Sequence, residues 1–223
     1  MRVIAGSAKG RKLKSSLKYA LRPTSDRVRE ALFDILGPRV QKVHFLDLFA
    51  GTGSVGIEAL SRGAKQATFV EKKASYAQLI RSNAELCGFT NFEIIVYDVL
   101  RAIVSLHNRQ RKFGLIFIDP PYRSDLALKT LQALDATDLL DQEHSIIVEH
   151  SIKNPLPERI GNLIVERVSE FGDTLLTFYR REEEKSEKEE GAKEEEPKEE
   201  GQKSREEINR GSNRDLVVFS PST

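Results

Sequence analysis

Apolar and polar positions in this chain follow two alternating rhythms. Short, largely apolar runs occur at Val43–Phe49, Ala67–Glu71, Phe92–Val96, Gly114–Ile118 and Ser145–Glu149. Their length suits strands, and their continuity suits burial on both faces. Between them lie stretches with helical spacing, near Val55–Ser61, Ser75–Cys87, Leu100–His107 and Leu126–Leu134. The alternation predicts an α/β fold with a mostly parallel sheet covered by helices on both sides. Two further runs, Leu163–Val168 and Thr174–Tyr179, are joined through Phe171-Gly172-Asp173. So short a connection predicts an antiparallel hairpin, for about seven strands in all. Upstream, Pro23 disfavours helix before it, and Thr24 or Ser25 can cap a helix running to about Leu36. Its expected apolar stripe is Val28, Ala31, Leu32, Ile35 and Leu36, and Gly37-Pro38 ends it.

Charge divides the 223 residues unevenly. Residues 1–181 carry 27 basic and 20 acidic side chains, whereas 182–223 carry 8 basic and 14 acidic. Nine of the basic residues fall within Met1–Arg29, against Asp26 alone. Three segments follow: a basic N-terminal extension over 1–21, a folded domain over 22–181 and an acidic Glu/Lys-rich tail over 182–223. The tail has too few apolar residues to offset its ordering entropy and is expected to be disordered. The extension, with Arg2-Val3-Ile4-Ala5 read as a strand and a hairpin around Gly6–Gly10, has the charge footprint of a polyanion-binding arm. Met1 to Leu13 lacks the apolar stretch of a secretory signal, and no run reaches the roughly 18 apolar residues of a membrane span. Cys87 is the only cysteine, which excludes an internal disulfide and fits a reducing, cytoplasmic setting.

The candidate chemistry lies at the ends of the predicted strands, where open α/β sheets bind ligands. The first strand runs into Asp47-Leu48-Phe49-Ala50-Gly51-Thr52-Gly53-Ser54-Val55-Gly56. Glycines at such a turn admit a ligand close to the backbone. The GxGxxG spacing alone would suit a dinucleotide. Asp47 before the turn, and no basic residue within it to neutralise phosphates, favour S-adenosylmethionine. Glu71 ends the second strand, where a carboxylate can accept from both hydroxyls of a ribose. Asp98 follows the third strand, placed to accept from an adenine amine or to cap the next helix. The fourth strand ends in Asp119-Pro120-Pro121-Tyr122. The prolines lock the backbone and remove two N–H donors, leaving carbonyl acceptors beside a carboxylate and a flat ring. That set suits the exocyclic amine of a nucleobase turned out of its stack. His44, His107, His144 and His150 show no ligand spacing and read as structural, and no metal site is expected.

Taken together, these segments resemble the RsmD family of class I S-adenosylmethionine-dependent methyltransferases. The resemblance covers nearly all of residues 1–181. It rests on Arg2–Gly6 with Lys9-Gly10-Arg11-Lys12-Leu13, on Arg22–Phe33, on Asp47–Leu60 with Ser61-Arg62-Gly63-Ala64, on Asp119–Tyr122 and on Phe171–Thr174. It implies a Rossmann-like methyltransferase fold and methylation of the N2 amine of a guanine in 16S rRNA, within an assembling 30S subunit. It also implies roles: Asp47, Gly51, Gly53, Glu71 and Asp98 toward the cofactor, and Asp119, Pro120, Pro121 and Tyr122 toward the guanine. Lys9, Arg11, Lys12, Arg22 and Arg27 would face the RNA. The long acidic tail departs from the compact family pattern. A DNA adenine or cytosine amino-methyltransferase, a non-catalytic RNA-binding module and, more remotely, a nicotinamide oxidoreductase remain as alternatives.

Overall fold

The computed structural model describes residues 1–15, 25–121 and 125–182. The described residues belong to the first of the chain's two units, Met1–Glu183. The expected disordered tail, from residue 183 onward, lies outside the described residues, as do Arg22 and Tyr122.

The first unit is built on one eight-stranded sheet. In chain order the strands are β1 (His44–Asp47), β2 (Gln66–Val70), β3 (Phe92–Ile95), β4 (Phe113–Ile118), β5 (Leu140–Ser151), β6 (Arg159–Ile160), β7 (Leu163–Phe171) and β8 (Thr174–Arg181). They lie side by side as β3-β2-β1-β4-β5-β8-β7-β6. The first five neighbours pair in parallel, and the last three join antiparallel. The expected hairpin is β7–β8, turning at Gly172 with its backbone in the left-handed region. The eighth strand is β6, two residues that zip onto the start of β7; so short a pair carries no periodic signal in the sequence. β5 also runs longer than its apolar run, because Leu140 pairs with Phe113 before the bulge that precedes Ser145.

Helices α1 (Asp26–Leu36), α2 (Ser54–Ser61), α3 (Ala74–Leu86), α4 (Val99–Asn108) and α5 (Leu126–Asp135) cover the sheet. Leu46, Ile116, Ile118, Ile146 and Val148 face α4 and α5 through Ala102, Ile103, Leu106, Leu131 and Leu134. Phe45, Leu115, Phe117 and Ile147 face the other way, onto Val28, Leu32, Phe33, Leu36, Val55 and Ala59. Alternate residues of β1 and β4 thus enter opposite cores, which explains the unbroken apolar run of β4, all six residues of it buried. Each large side chain so enclosed contributes roughly 1.5–3 kcal/mol relative to exposure.

Ser25 caps α1, its hydroxyl accepting from the Val28 amide at 3.2 Å. The buried stripe of α1 differs from the expected one. Val28, Leu32 and Leu36 are buried as anticipated, but Arg29 and Phe33 are buried with them, while Ala31 and Ile35 are only half-covered. On that face Arg29 donates to the Arg2 carbonyl and lies 3.9 Å from Glu58 of α2, and Phe33 stacks on Phe45 of β1.

The N-terminal arm forms the expected hairpin, with an Arg2–Lys12 bridge and the Val3 and Gly10 amides bonded across it. Arg2–Ala5 is not a regular strand, however. The backbone N–H groups of Ile4 and Ala5 donate instead to Glu58 Oε2 at 2.8 Å and Oε1 at 3.0 Å. Glu58 is fully buried, and its remaining contacts are the Arg62 Nε at 2.8 Å and the Arg29 Nε at 3.9 Å. Arg29 also donates from Nη2 to the Arg2 carbonyl at 2.7 Å. Val3, Ala8 and Leu13 complete the junction by packing on Ile57, Leu60, Phe69, Ile80 and Ala84. At Gly6 a side chain would collide with the Ser61 carbonyl, so the hairpin lies directly against the end of α2.

Glu58→Leu keeps the volume but leaves two arm amides without their acceptor and the buried Arg29 without a nearby countercharge. Urea unfolding is expected to show a loss of about 3–5 kcal/mol, the usual cost of stranding a buried charge. Arg62→Ala, at a partly exposed partner, should cost far less.

Candidate active site

Strand register brings the predicted site residues to one edge. Asp47 at the end of β1 pairs with Phe69 of β2 on one side and with Phe117 of β4 on the other. Glu71 and Asp119 each lie two residues beyond those partners, flanking β1 about 10 Å apart across two strand spacings. Hydrogen bonds continue past the strands: Leu48 N–H donates to Phe117 O, Ala50 N–H to Val70 O and Glu71 N–H to Ile95 O. The edge is therefore held as one piece.

Between Asp47 and α2 the chain makes its tight turn. Gly53 N–H donates to Ala50 O at 2.7 Å, and Gly51 and Gly53 both hold positive φ, +53° and +79°. Side chains resist that conformation. At Gly56, one turn into α2, a Cβ would run into the Phe69 ring, so this glycine lets the helix close on β2. The N-cap of α2, Gly53, has no side chain, so the Ser54 and Val55 amides face the turn while the Gly56 amide donates to Asp47.

The carboxylates here do different work. Asp47 is buried, and one oxygen accepts the Gly56 N–H at 3.3 Å. Burial drives its pKa up to about 7, opposed by the amides of Gly56 and Phe49 and reinforced by the negative charge of Glu71. Glu71 is half-exposed and bridges two backbones, accepting from Gly51 N at 3.0 Å and Lys73 N at 2.8 Å. A carboxylate has about four lone-pair sites, so it retains acceptor capacity toward the opening. Asp98 caps α4, accepting from Arg101 N at 3.2 Å. Arg101 in turn lies over the exposed Tyr97 ring, 5.1 Å from its centroid.

Beyond β4, Asp119 is half-buried, Pro120 buried and Pro121 exposed. Both prolines wall a cavity of about 530 Å³, within the range of ligand pockets. Its opposite wall is the end of β5 and the segment to Pro157. His150 shapes that wall: Nδ1 donates to Asn154 O at 3.0 Å and Nε2 accepts from Thr177 Oγ1 at 2.8 Å. Burial holds its pKa below the usual imidazole value, which keeps the ring neutral. The sequence reading of His150 as structural agrees with this placement.

The basic candidates lie on the N-terminal arm and on α1. Lys9 and Arg27 line a second cavity of about 420 Å³ with Arg2, Asp26 and Glu30. Arg11 and Lys12 lie exposed on the same hairpin. Sequence reasoning missed the buried polar residues that anchor the arm: Arg29, Glu58, Ser61 and Asn83. Their one-dimensional signal was faint, a charge or amide inside an otherwise apolar helical stripe. Among the described residues no helix is long and apolar enough to cross a membrane, and no group of acidic, His or Cys residues could hold a metal ion.

The geometry can be set beside known proteins. The family described as Conserved hypothetical protein 95 matches residues 1–180. Over 182 residues the chain is 35% identical to the ribosomal RNA small subunit methyltransferase D of Escherichia coli strain K12, covering 82% of this chain and 90% of that protein. It is 37% identical over 182 residues to the YlbH protein of Bacillus subtilis strain 168, covering 81% of this chain and 99% of YlbH. The solved yhhF structure of Escherichia coli superposes with a TM-score of 0.72 at 31% identity, covering 82% of this chain and 99% of yhhF.

Asp47 gives a pH signature. Its folded-state pKa lies above its unfolded value, so the folded chain holds a proton that the unfolded chain releases between about pH 4 and 7. The stabilisation is complete below that window and is lost as pH rises through about 7. Asp47→Asn should therefore be more stable than the natural chain near pH 8, by up to about 4 kcal/mol, with the gap closing near pH 4. Urea unfolding at the two pH values measures it.

Proposed function

The chain belongs to the Conserved hypothetical protein 95 family, that of the RsmD methyltransferases, and is an S-adenosylmethionine-dependent rRNA methyltransferase; from that premise we propose that it methylates the exocyclic N2 amine of one guanine in 16S rRNA. The observation that carries the proposal is the register of β1 between β2 and β4. It sets Asp47, Glu71 and Asp119 along one edge, with the diproline corner walling an adjacent cavity.

The donor set fits S-adenosylmethionine. The turn offers the first amides of α2, Ser54 and Val55, for a carboxylate, buried Asp47 for an ammonium and Glu71 for ribose hydroxyls, with no cation from Asp47 to Gly56 to meet a pyrophosphate. Gly51 and Gly53 would let the cofactor approach the backbone, and Asp98 would meet the adenine amine while it caps α4. When bound, the cofactor supplies a methyl group already activated by its sulfonium. The chain's own task is then to hold and deprotonate the acceptor amine.

An aryl amine is a poor nucleophile because its lone pair is delocalised into the ring. Asp119 and the Pro120 carbonyl would accept its two N–H hydrogens, favouring a more tetrahedral nitrogen with its lone pair turned outward. Asp119 need not be a strong base, since the proton becomes acidic only as the N–C bond forms. Pro121 stiffens the corner. Tyr122, outside the described residues, is assigned the face on which the base stacks. Positioning and electrostatics of this kind suffice for an in-line methyl transfer. Lys9, Arg11, Lys12 and Arg27, with Arg22 outside the described residues, would grip rRNA phosphates, and an assembling 30S particle in the cytoplasm is the proposed substrate.

Tritiated-methyl transfer onto 30S subunits from a strain lacking this protein, followed by nucleoside analysis, tests the reading. N2-methylguanosine is the expected product; label on adenine or cytosine, or none, overturns it. Asp119→Ala should lower transfer by at least about 10²-fold while cofactor affinity stays largely intact. Replacing Lys9, Arg11 and Lys12 together by Ala should weaken RNA binding and flatten the slope of log affinity against log salt by about two to three. Filter binding across a salt series measures this.

A further inference from the structure

One buried amide joins the basic arm to the cofactor turn. Asn83, on α3, is fully buried. Its Oδ1 accepts from Lys14 N at 2.8 Å, and its Nδ2 donates to Lys14 O at 3.1 Å and to Thr52 O at 3.0 Å. Only an amide oxygen can accept from the Lys14 N–H, so the orientation of the side chain is settled by its partners. Thr52 is the residue between Gly51 and Gly53. Lys14 lies at the end of the described arm, where its Nζ also reaches Ser82 Oγ at 2.8 Å.

The turn is poorly determined from within. Two of its residues are glycines at positive φ, so its shape depends on outside partners. Glu71 supplies one, at the Gly51 N–H, and Asn83 a second, at the Thr52 carbonyl, while the Thr52 hydroxyl donates weakly to Met1 Sδ of the arm at 3.7 Å. Asn83 is fully bonded only while the arm is seated. Lifting the arm removes the donor to Oδ1 and one acceptor from Nδ2, stranding polar atoms in the interior, which is costly. The same motion uncovers Glu58 and Ser61 on α2, the helix that starts at this turn: Ser61 Oγ accepts from Ala8 N at 3.0 Å and donates to Ala5 O at 2.5 Å. The arm is therefore tied to the turn on both sides, through α2 and through α3.

We propose that Asn83 is a positioning residue that couples the seating of the basic arm on RNA to the shape of the cofactor turn, so that RNA and S-adenosylmethionine each tighten the binding of the other. This rests on the arm meeting RNA and the turn meeting the cofactor, as assigned above. Because coupling is a free energy shared by the two sites, the enhancement is the same measured from either ligand.

The test is titration calorimetry on the full chain with S-adenosylhomocysteine as the probe, with and without saturating 16S rRNA transcript. In the natural chain RNA should improve the probe's affinity by about five-fold or more. In Asn83→Ala the affinity without RNA should fall, and the ratio with and without RNA should collapse toward one. A purely structural Asn83 would lower thermal stability and leave that ratio unchanged, which overturns the proposal. So does a ratio of one in the natural chain while both ligands bind. Failure of the probe to bind at all removes the cofactor assignment itself, and this inference with it. Should Asn83→Ala not fold, hydrogen exchange on the natural chain decides: the probe should slow exchange at the Ile4, Ala5, Ala8 and Lys14 amides, and unchanged rates there refute the coupling.

Discussion

The parallel register of β1 between β2 and β4 is the constraint from which the rest of the site follows. It is fixed by the two cores. Phe45 and Leu46 enter opposite layers, as do Leu115 and Ile116, so a slip of one residue would exchange every side chain between them. Held in that register, three strands end together, and the carboxylates that terminate them share an edge. The diproline corner is stiff, and the glycine turn between the strands is held from outside by Glu71 and Asn83.

On that edge the protein offers acceptors in graded environments. Asp47 is buried and holds its proton until near neutrality, whereas Glu71 is half-exposed and occupied with two backbone amides. Asp98, half-buried, closes a helix start. A turn from Asp47 to Gly56 that carries no cation, flanked by carboxylates, suits a zwitterion and a ribose better than a phosphate chain. Positive charge is concentrated on the hairpin and at the start of α1.

Apolar packing by Val3, Ala8 and Leu13 covers the arm, but polar side chains set its position. Glu58, Ser61 and Asn83 each bond arm backbone from inside the protein. Hydrogen bonds are directional, so they fix where the hairpin sits, which a greasy contact alone would leave loose. The cost of burying them is met because their principal donors and acceptors find partners within bonding distance.

Much of this was legible in one dimension. The βαβ rhythm, the antiparallel ending, the arm hairpin, the glycine turn and the acidic strand ends follow from local patterns, since period, turn chemistry and strand length are written into neighbouring residues. Non-local matters were not. The rotation of α1 that buries Arg29 and Phe33, the extension of β5 to Leu140 and the spanning role of Asn83 each depend on a partner 20 or more residues away. A buried Glu or Asn reads in sequence like any solvated one; only packing shows what lies opposite it. The sequence by itself determined which chemistry stands at the end of each strand. Tertiary structure decided which of those ends meet and what anchors the arm to them, because register and burial belong to pairs of segments and not to either one alone.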